Sequence, residues 1–248
     1  MSVRRPQAIL LDALGTLVAL EPPAPLLMTA LAKADPPVQV SLEEADAAMR
    51  AEMAYYRIHL GQAVDYDTLE DLRHACTEAL RRALPERARG VEGLRAMLLS
   101  SLRFRAHPDA EPALKALRAA GVTLVVVSNW DVSLHDALRT TGLDRLVDGA
   151  IASAEVGSAK PDAGIFDWAL GLAGEPPRDA VWHVGDSVDA DVEGARAAGL
   201  RPIFLDRSAE TGAAPPVLPD GVARITDLRA LPATFIRAEG ETPSLRGR

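Results

Sequence analysis

The sequence predicts an α/β fold: a doubly wound parallel sheet interrupted by an all-helical insertion. Three observations carry this. From residue 107 onward, short apolar runs cut off by polar residues alternate with amphipathic segments, the pattern of a parallel sheet with crossover helices. One more such run, AILLD at 8–12, stands alone near the N-terminus. Between them, residues 26–103 change to helical periodicity.

Taken in order, residues 8–12 read as a buried strand and 13–17 as a turn on Gly15. Pro22, Pro23 and Pro25 break the chain and mark a linker or hinge. Ser41-Leu42-Glu43-Glu44 is a capping box, and Leu42, Ala45, Met49, Met53 and Tyr56 follow it on one apolar face. Further helices are expected over 67–84 and 91–102. The Met and Tyr positions read as packing. Pro108 opens a helix closed by Gly121, followed by a strand at 122–127 and a helix at 132–141 ending near Gly142. A strand at 149–153, a helix at 162–173, a strand at 180–184, a helix at 190–198 and a strand at 202–205 complete the alternation. A last strand at 222–225, a helix at 227–236 and a frayed tail at 238–248 are expected. The domain division is therefore 1–20 with 104–237, and 21–103 as a separate helical domain over the sheet's active edge.

At 248 residues, with 48% hydrophobic and 25% charged residues, the chain has an ordinary globular composition and can bury a full core. A formal charge of −8 argues against a polyanion such as nucleic acid as the main partner. It leaves room for a small phosphorylated ligand at a locally cationic or metal-bearing site. The single cysteine excludes an internal disulfide. Cys76 falls on the stripe Leu69, Leu72, Cys76, Leu80 and reads as a buried thiol. No stretch approaches the ~20 apolar residues of a membrane span. With no membrane partner and no secretory pattern, a cytoplasmic location is expected.

The chemistry sits where the apolar runs end. Asp12 ends the first run on a Gly-containing turn, where a carboxylate can act as a nucleophile; read alone, it fits a turn cap as well. Ser128 ends VVVS and is suited to bonding a phosphate oxygen. Lys160, in AKPD, can neutralise a nucleophile and a developing anion, although a lone lysine is commonly just solvated. Asp186, Asp189 and Asp191 crowd one loop, more acids than a helix cap needs. Carboxylates converging on one edge repel each other unless a cation such as Mg²⁺, which prefers oxygen ligands, lies between them.

DALGTL at 12–17, VVVSN at 125–129, KPD at 160–162 and GDSVDAD at 185–191, in that order, resemble the four motifs of the haloacid dehalogenase-like hydrolases. The resemblance spans most of the chain. It implies a Rossmann-like core with a helical cap between the first and second motifs. It implies Asp12 as nucleophile and metal ligand, with the Leu14 carbonyl and Asp186 completing a Mg²⁺ site and Asp191 as an outer acid. It further implies Ser128, Asn129, Lys160 and Thr16 around a phosphoryl group, helped by backbone N–H groups near Leu14 and Asn129. Phosphatases of this superfamily usually carry a second Asp two residues after the nucleophile, and here that residue is Leu14. The expected activity is therefore Mg²⁺-dependent hydrolysis of a small phosphate ester or anhydride without the usual general acid. A metal-independent 2-haloacid dehalogenase, with Trp130 walling a halide pocket, is one alternative. A catalytically impaired binding or regulatory protein is the other.

Some residues are not promoted. His183 is out of phase with its strand end and reads as a core or supporting histidine. Trp182 reads as packing, and Asp131 as a weak candidate for the missing acid. Arg57, Tyr56, His59 and His74 lie in the insertion without a readable orientation.

Overall fold

The structure, a computed structural model, describes residues 5–232. Its strands are β1 (Ala8–Leu11), β2 (Val18–Leu20), β3 (Phe104–Ala106), β4 (Thr123–Ser128), β5 (Gly149–Ala152), β6 (Val181–Gly185), β7 (Arg201–Leu205) and β8 (Ala223–Ile225). Six form one sheet in the order β5-β4-β1-β6-β7-β8, every adjacent pair parallel. The chain builds outward from β1 to β4 and β5 on one side, then returns to add β6, β7 and β8 on the other. The reversal lies beside β1, where open α/β sheets bind ligands beyond the strand ends. Leu11 pairs with Val126 and Val184, so β1, β4 and β6 release Asp12, Ser128 and Asp186 at one edge.

The insertion leaves and re-enters through a stem. β2 and β3 pair antiparallel, Val18 opposite Ala106 and Leu20 opposite Phe104, extended by Glu21 N–H to Arg103 O at 2.8 Å and His107 N–H to Leu17 O at 2.9 Å. The prolines read as a linker do not form one. Pro22 caps and Pro23 opens α1 (Pro23–Ala32), because the first helical turn tolerates residues without an N–H. The insertion continues through α2 (Leu42–His59), α3 (Tyr66–Ala83), α4 (Glu86–Arg89) and α5 (Leu94–Ser101). The Ser41 hydroxyl accepts from Glu44 N–H at 3.1 Å while the Glu44 carboxylate accepts from Ser41 N–H at 2.8 Å. Asp65 and Thr68 repeat this reciprocal cap on α3. The lobe encloses its own apolar cluster, including Leu27, Met49, Leu69, Leu80 and Leu94, into which Val132 reaches from beyond β4.

Against the sheet lie α6 (Ala110–Ala119), α7 (Leu134–Thr141), α8 (Ser153–Val156), α9 (Ala163–Leu172) and α10 (Gly194–Ala197); α11 (Ser208–Thr211) follows β7. Side chains of β1 alternate between two layers. Ile9 and Leu11 pack with Leu114, Leu134 and Trp182. Ala8 and Leu10 pack with Val181, Phe166 and Ile165 on the α9 side. Helix 132–141 begins at Leu134 because the Asp131 carboxylate takes Ser133 N–H at 2.7 Å and forms a turn first. Of the expected helix 227–236, Leu228–Ala230 form a 3₁₀ turn; its end and the tail lie outside the described residues. Among the described residues, no helix is long and apolar enough to cross a membrane.

Candidate active site

Asp12, 6% exposed, emerges from the central strand. Its Oδ1 accepts from Ser128 Oγ at 3.0 Å and from Lys160 Nζ at 2.7 Å. Lys160, equally hidden at 5%, also donates to Asp191 Oδ1 at 2.6 Å. One ammonium thus bridges carboxylates from two distant loops. Lys160 is not at a strand end: α8 intervenes after β5. Asn129 holds the lysine's loop from across the site, its Nδ2 donating to Lys160 O at 2.8 Å and its Oδ1 accepting from Lys160 N–H at 2.7 Å.

Local backbone chemistry makes this approach possible. Gly15 has φ +88°, and a side chain there would overlap the Asp186 carboxylate. Gly185 leaves the same kind of space for Asp191. The expected regular helix at 190–198 opens instead with a π-type turn over Val188–Glu193, and only Gly194–Ala197 is α-helical. Ser187 O accepts from both Asp191 N–H at 3.1 Å and Val192 N–H at 3.2 Å. The widened turn swings Asp191 back under the strand, where Oδ2 takes Ser187 N–H at 2.9 Å and Oδ1 pairs with His183 Nε2 at 2.9 Å. His183 shares the phase of Val181 on β6 and meets Phe166 edge-on at 5.1 Å, so it supports Asp191 from inside the core.

Asp12, Asp186 and Asp191 each offer an oxygen within 4.8 Å of the others, a set able to hold a metal ion. Their electrostatics differ. Burial pushes Asp12 up, Lys160 opposes that, and Asp191 adds to it; the net direction is upward. Burial also works against Asp191, but Lys160 and His183 overcome it and hold that carboxylate well below its usual range. Burial disfavours the Lys160 ammonium, yet Asp12 and Asp191 outweigh it and raise its pKa. Asp186 is pushed up to about 7 by burial and then by Asp12 and Asp191. Lys160 opposes this only weakly, and among the described residues no cation pairs directly with Asp186.

Other candidates fall differently. The Thr16 hydroxyl is fully buried and has no hydrogen-bond partner among the described residues. The Asn129 amide meets Lys160 with both Nδ2 and Oδ1, so its side chain orients the lysine's loop. Leu14 is 44% exposed on the turn after Asp12. Trp130 packs on Phe104 of the stem at 4.9 Å and donates from Nε1 to Ser133 Oγ at 3.3 Å. Asp189, Arg57 and His74 are exposed, and the His59 ring stacks on Tyr55 at 4.0 Å.

Sequence reasoning missed two groups. Glu52, 3% exposed inside the lobe, is pushed up to about 7 by burial, with only the Cys76 thiol against it. A Glu on an otherwise apolar face of the 42–56 periodicity was the available signal. The other is Arg207, which grips the turn after Asp12 from beyond β7; residues 191 positions apart gave no signal.

Comparison with known proteins agrees with this geometry. The family model described as haloacid dehalogenase-like hydrolase matches residues 6–199. A phosphoserine phosphatase of Thermus thermophilus is 37% identical over 155 residues, 61% of this chain and 60% of that protein. A pyrimidine 5'-nucleotidase of Escherichia coli is 36% identical over 99 residues, 40% of this chain and 44% of its own length. The chain thus spans less than two thirds of these curated relatives. The solved structure of a 2-haloacid dehalogenase from Pseudomonas syringae is 25% identical, with a TM-score of 0.63 over 93% of this chain and 98% of that one. With an aspartate, serine, lysine and second acidic loop assembled on one parallel-sheet edge, and the match running through all of them, the chain belongs to the haloacid dehalogenase-like hydrolases.

Proposed function

We propose that this hydrolase is a Mg²⁺-dependent phosphatase of a small phosphate ester or anhydride, working through an aspartyl phosphate on Asp12. The observation that carries the reading is the charge deficit at Asp186: three carboxylates meet, and among the described residues the Lys160 ammonium pairs directly with Asp12 and Asp191 and not with Asp186. An all-oxygen donor set of this kind suits Mg²⁺. Asp12, Asp186 and the Leu14 carbonyl are the residues that would hold it. Asp191 stays outside, because Lys160, His183 and Ser187 N–H already occupy both its oxygens. When bound, the ion neutralises the carboxylates and offsets charge on the phosphoryl oxygens.

The chain's own residues supply the rest. Lys160 and Ser128 fix Oδ1 of Asp12, leaving Oδ2 free of hydrogen bonds and the better nucleophile. Oδ2 bonds to phosphorus as the bond to the leaving oxygen breaks, and the electron pair departs with that oxygen. Lys160 and Ser128 then face the transferred phosphoryl group; water forms a new O–P bond as the Oδ2–P bond breaks, its protons leave with the inorganic phosphate, and Asp12 is restored as a carboxylate. Leu14 cannot protonate the leaving oxygen, a role usually worth about 10²–10⁴-fold. Acyl and aryl phosphates are therefore the substrates that fit, because their leaving groups are stable as anions. The phosphatase names of the relatives support phosphate-ester hydrolysis in general; phosphoserine and nucleoside 5'-phosphates are alkyl esters, so the preference for acyl and aryl phosphates rests on Leu14 alone. We further infer that the helical lobe acts as a cap over this edge.

The test is a phosphate series of rising leaving-group pKa, assayed with Mg²⁺ and with EDTA, alongside a 2-chloro acid. The reading expects metal-dependent rates that fall steeply with leaving-group pKa. A flat dependence with chemistry rate-limiting would count against it. Leu14 and the haloacid dehalogenase fold neighbour favour a second reading, dehalogenation by Asp12 attack on carbon. Chloride release in EDTA would establish that instead, although Asp186 would repel a carboxylate substrate and a departing halide.

A further inference from the structure

Arg207 leaves β7 beside the site, its side chain 11% exposed. Its fork grips three parts of the molecule. Nη2 donates to Thr16 O at 2.9 Å and Nε to Gly15 O at 3.4 Å, both on the nucleophile's turn. Nη1 and Nη2 meet the two oxygens of Asp109 at 3.0 and 2.9 Å, and Nη1 also reaches Glu210 at 3.1 Å. Asp109 is itself 4% exposed and takes Leu228 N–H at 2.9 Å. It lies just past β3, the returning strand of the stem.

We propose that Arg207, held by Asp109, is a positioning residue for the Asp12 turn. It rests on the phosphatase reading only for its effect on rate. The turn's own hydrogen bonds are few: Gly15 N–H to Val18 O at 2.8 Å, and Thr16, Leu17 and Val18 N–H all on Ala13 O. Gly15 must also keep its left-handed backbone for Asp186 to lie against it. A rigid, always-charged fork on the Gly15 and Thr16 carbonyls pins the outer side of that turn, and the carboxylate of Asp109 keeps the fork aimed. Arg207 thereby ties together the nucleophile's turn, the base of the lobe's stem and the end of β7. A lysine, with one point of charge, cannot span two carbonyls and a carboxylate.

The experiment is amide hydrogen exchange on the whole chain, comparing wild type with Arg207→Lys, Arg207→Met and the matched control Arg178→Met. Arg178 also joins a carboxylate and a carbonyl, Asp167 and Ala198 O, but touches nothing in the turn. Exchange over residues 13–18 is expected to speed up at least about tenfold in both Arg207 variants, the scale of a lost charged hydrogen bond. It should stay unchanged in Arg178→Met. Guanidinium ion, below denaturing concentration, should restore slow exchange in Arg207→Met. Unchanged exchange at 13–18 in folded Arg207→Lys, or equal acceleration in Arg178→Met, overturns the proposal. This readout needs no turnover, so a chain that hydrolyses no phosphate would sink the phosphatase reading and leave the clamp to be judged by exchange. With turnover, kcat should fall in the Arg207 variants while KM stays nearly constant.

Discussion

Two buried acidic sites in this molecule solve the same problem in opposite ways. At the sheet edge, Asp191 keeps its charge in the interior because Lys160 and His183 sit against it. Inside the helical lobe, Glu52 is as deeply buried but faces a thiol, and burial lifts its pKa to about 7; burial, and then Glu52, push the Cys76 thiol up to about 12. The lobe neutralises its acid, whereas the edge preserves charge. Asp186 stands between the two cases. It is only part-buried and lies among charged neighbours; no ammonium among the described residues pairs with it, and its pKa is pushed up to about 7, as that of Glu52 is. A buried acid away from other charges can simply take up a proton. A carboxylate crowded against two others is one that the proposed cation would relieve.

The comparison breaks most sharply if the edge charges are dispensable. Asp12→Asn should abolish phosphate hydrolysis, on the order of 10⁴-fold or more in kcat, since the residual rate then comes from binding alone. Lys160→Met should do comparable damage and also destabilise the fold by about 3–5 kcal/mol in urea denaturation, because Asp12 and Asp191 would be left buried without their cation. A Lys160→Met protein as stable as wild type would mean that the edge is neutralised like the lobe.

Leu14 is the apolar intrusion on the charged edge. Leu14→Asp should raise kcat/KM for alkyl phosphates by about 10²-fold or more, with acyl phosphates nearly unaffected. An equal gain for both substrate classes would place the new carboxylate in a role other than proton donation.

The smallest effect lies in the lobe. Glu52 has a native pKa raised above its unfolded value, so the native state holds a proton that the unfolded state has lost between about pH 4.5 and 7. Its contribution is fully present below that window and is lost as pH rises through about 7. Glu52→Gln keeps an acceptor for the Cys76 thiol and carries no charge. It should stabilise the protein by roughly 1–3 kcal/mol near pH 8 and leave it unchanged near pH 4. A pH-independent difference would show that packing, not charge, sets the effect.

The sequence was most legible where local chemistry acts alone. The Ser41–Glu44 cap, the apolar runs of β1, β4 and β6, and the order of Asp12, Ser128, Lys160 and Asp186 could all be read from neighbours or from spacing. It failed where a residue's role is decided by a partner far along the chain. The resemblance placed Asn129 around a phosphoryl group, but nothing in the spacing could show that its amide meets Lys160, 31 positions on, through both Nδ2 and Oδ1. Thr16 was placed there by the first motif, and the sequence could not show that its hydroxyl is fully buried. The stem went unread because β2 and β3 are only three residues each, too short for alternation to register, and the prolines after β2 read more loudly as a break than as a helix start.

The central claim is that the carboxylates of Asp12 and Asp186 share one divalent cation. Titration with Mn²⁺ followed by electron paramagnetic resonance tests it most directly, on the wild-type chain, Asp186→Asn and Glu52→Gln. The account predicts a single site whose affinity falls about 10²-fold or more in Asp186→Asn and is untouched in Glu52→Gln. Wild-type protein that binds no Mn²⁺, or Asp186→Asn that binds it as tightly as wild type, would contradict the account.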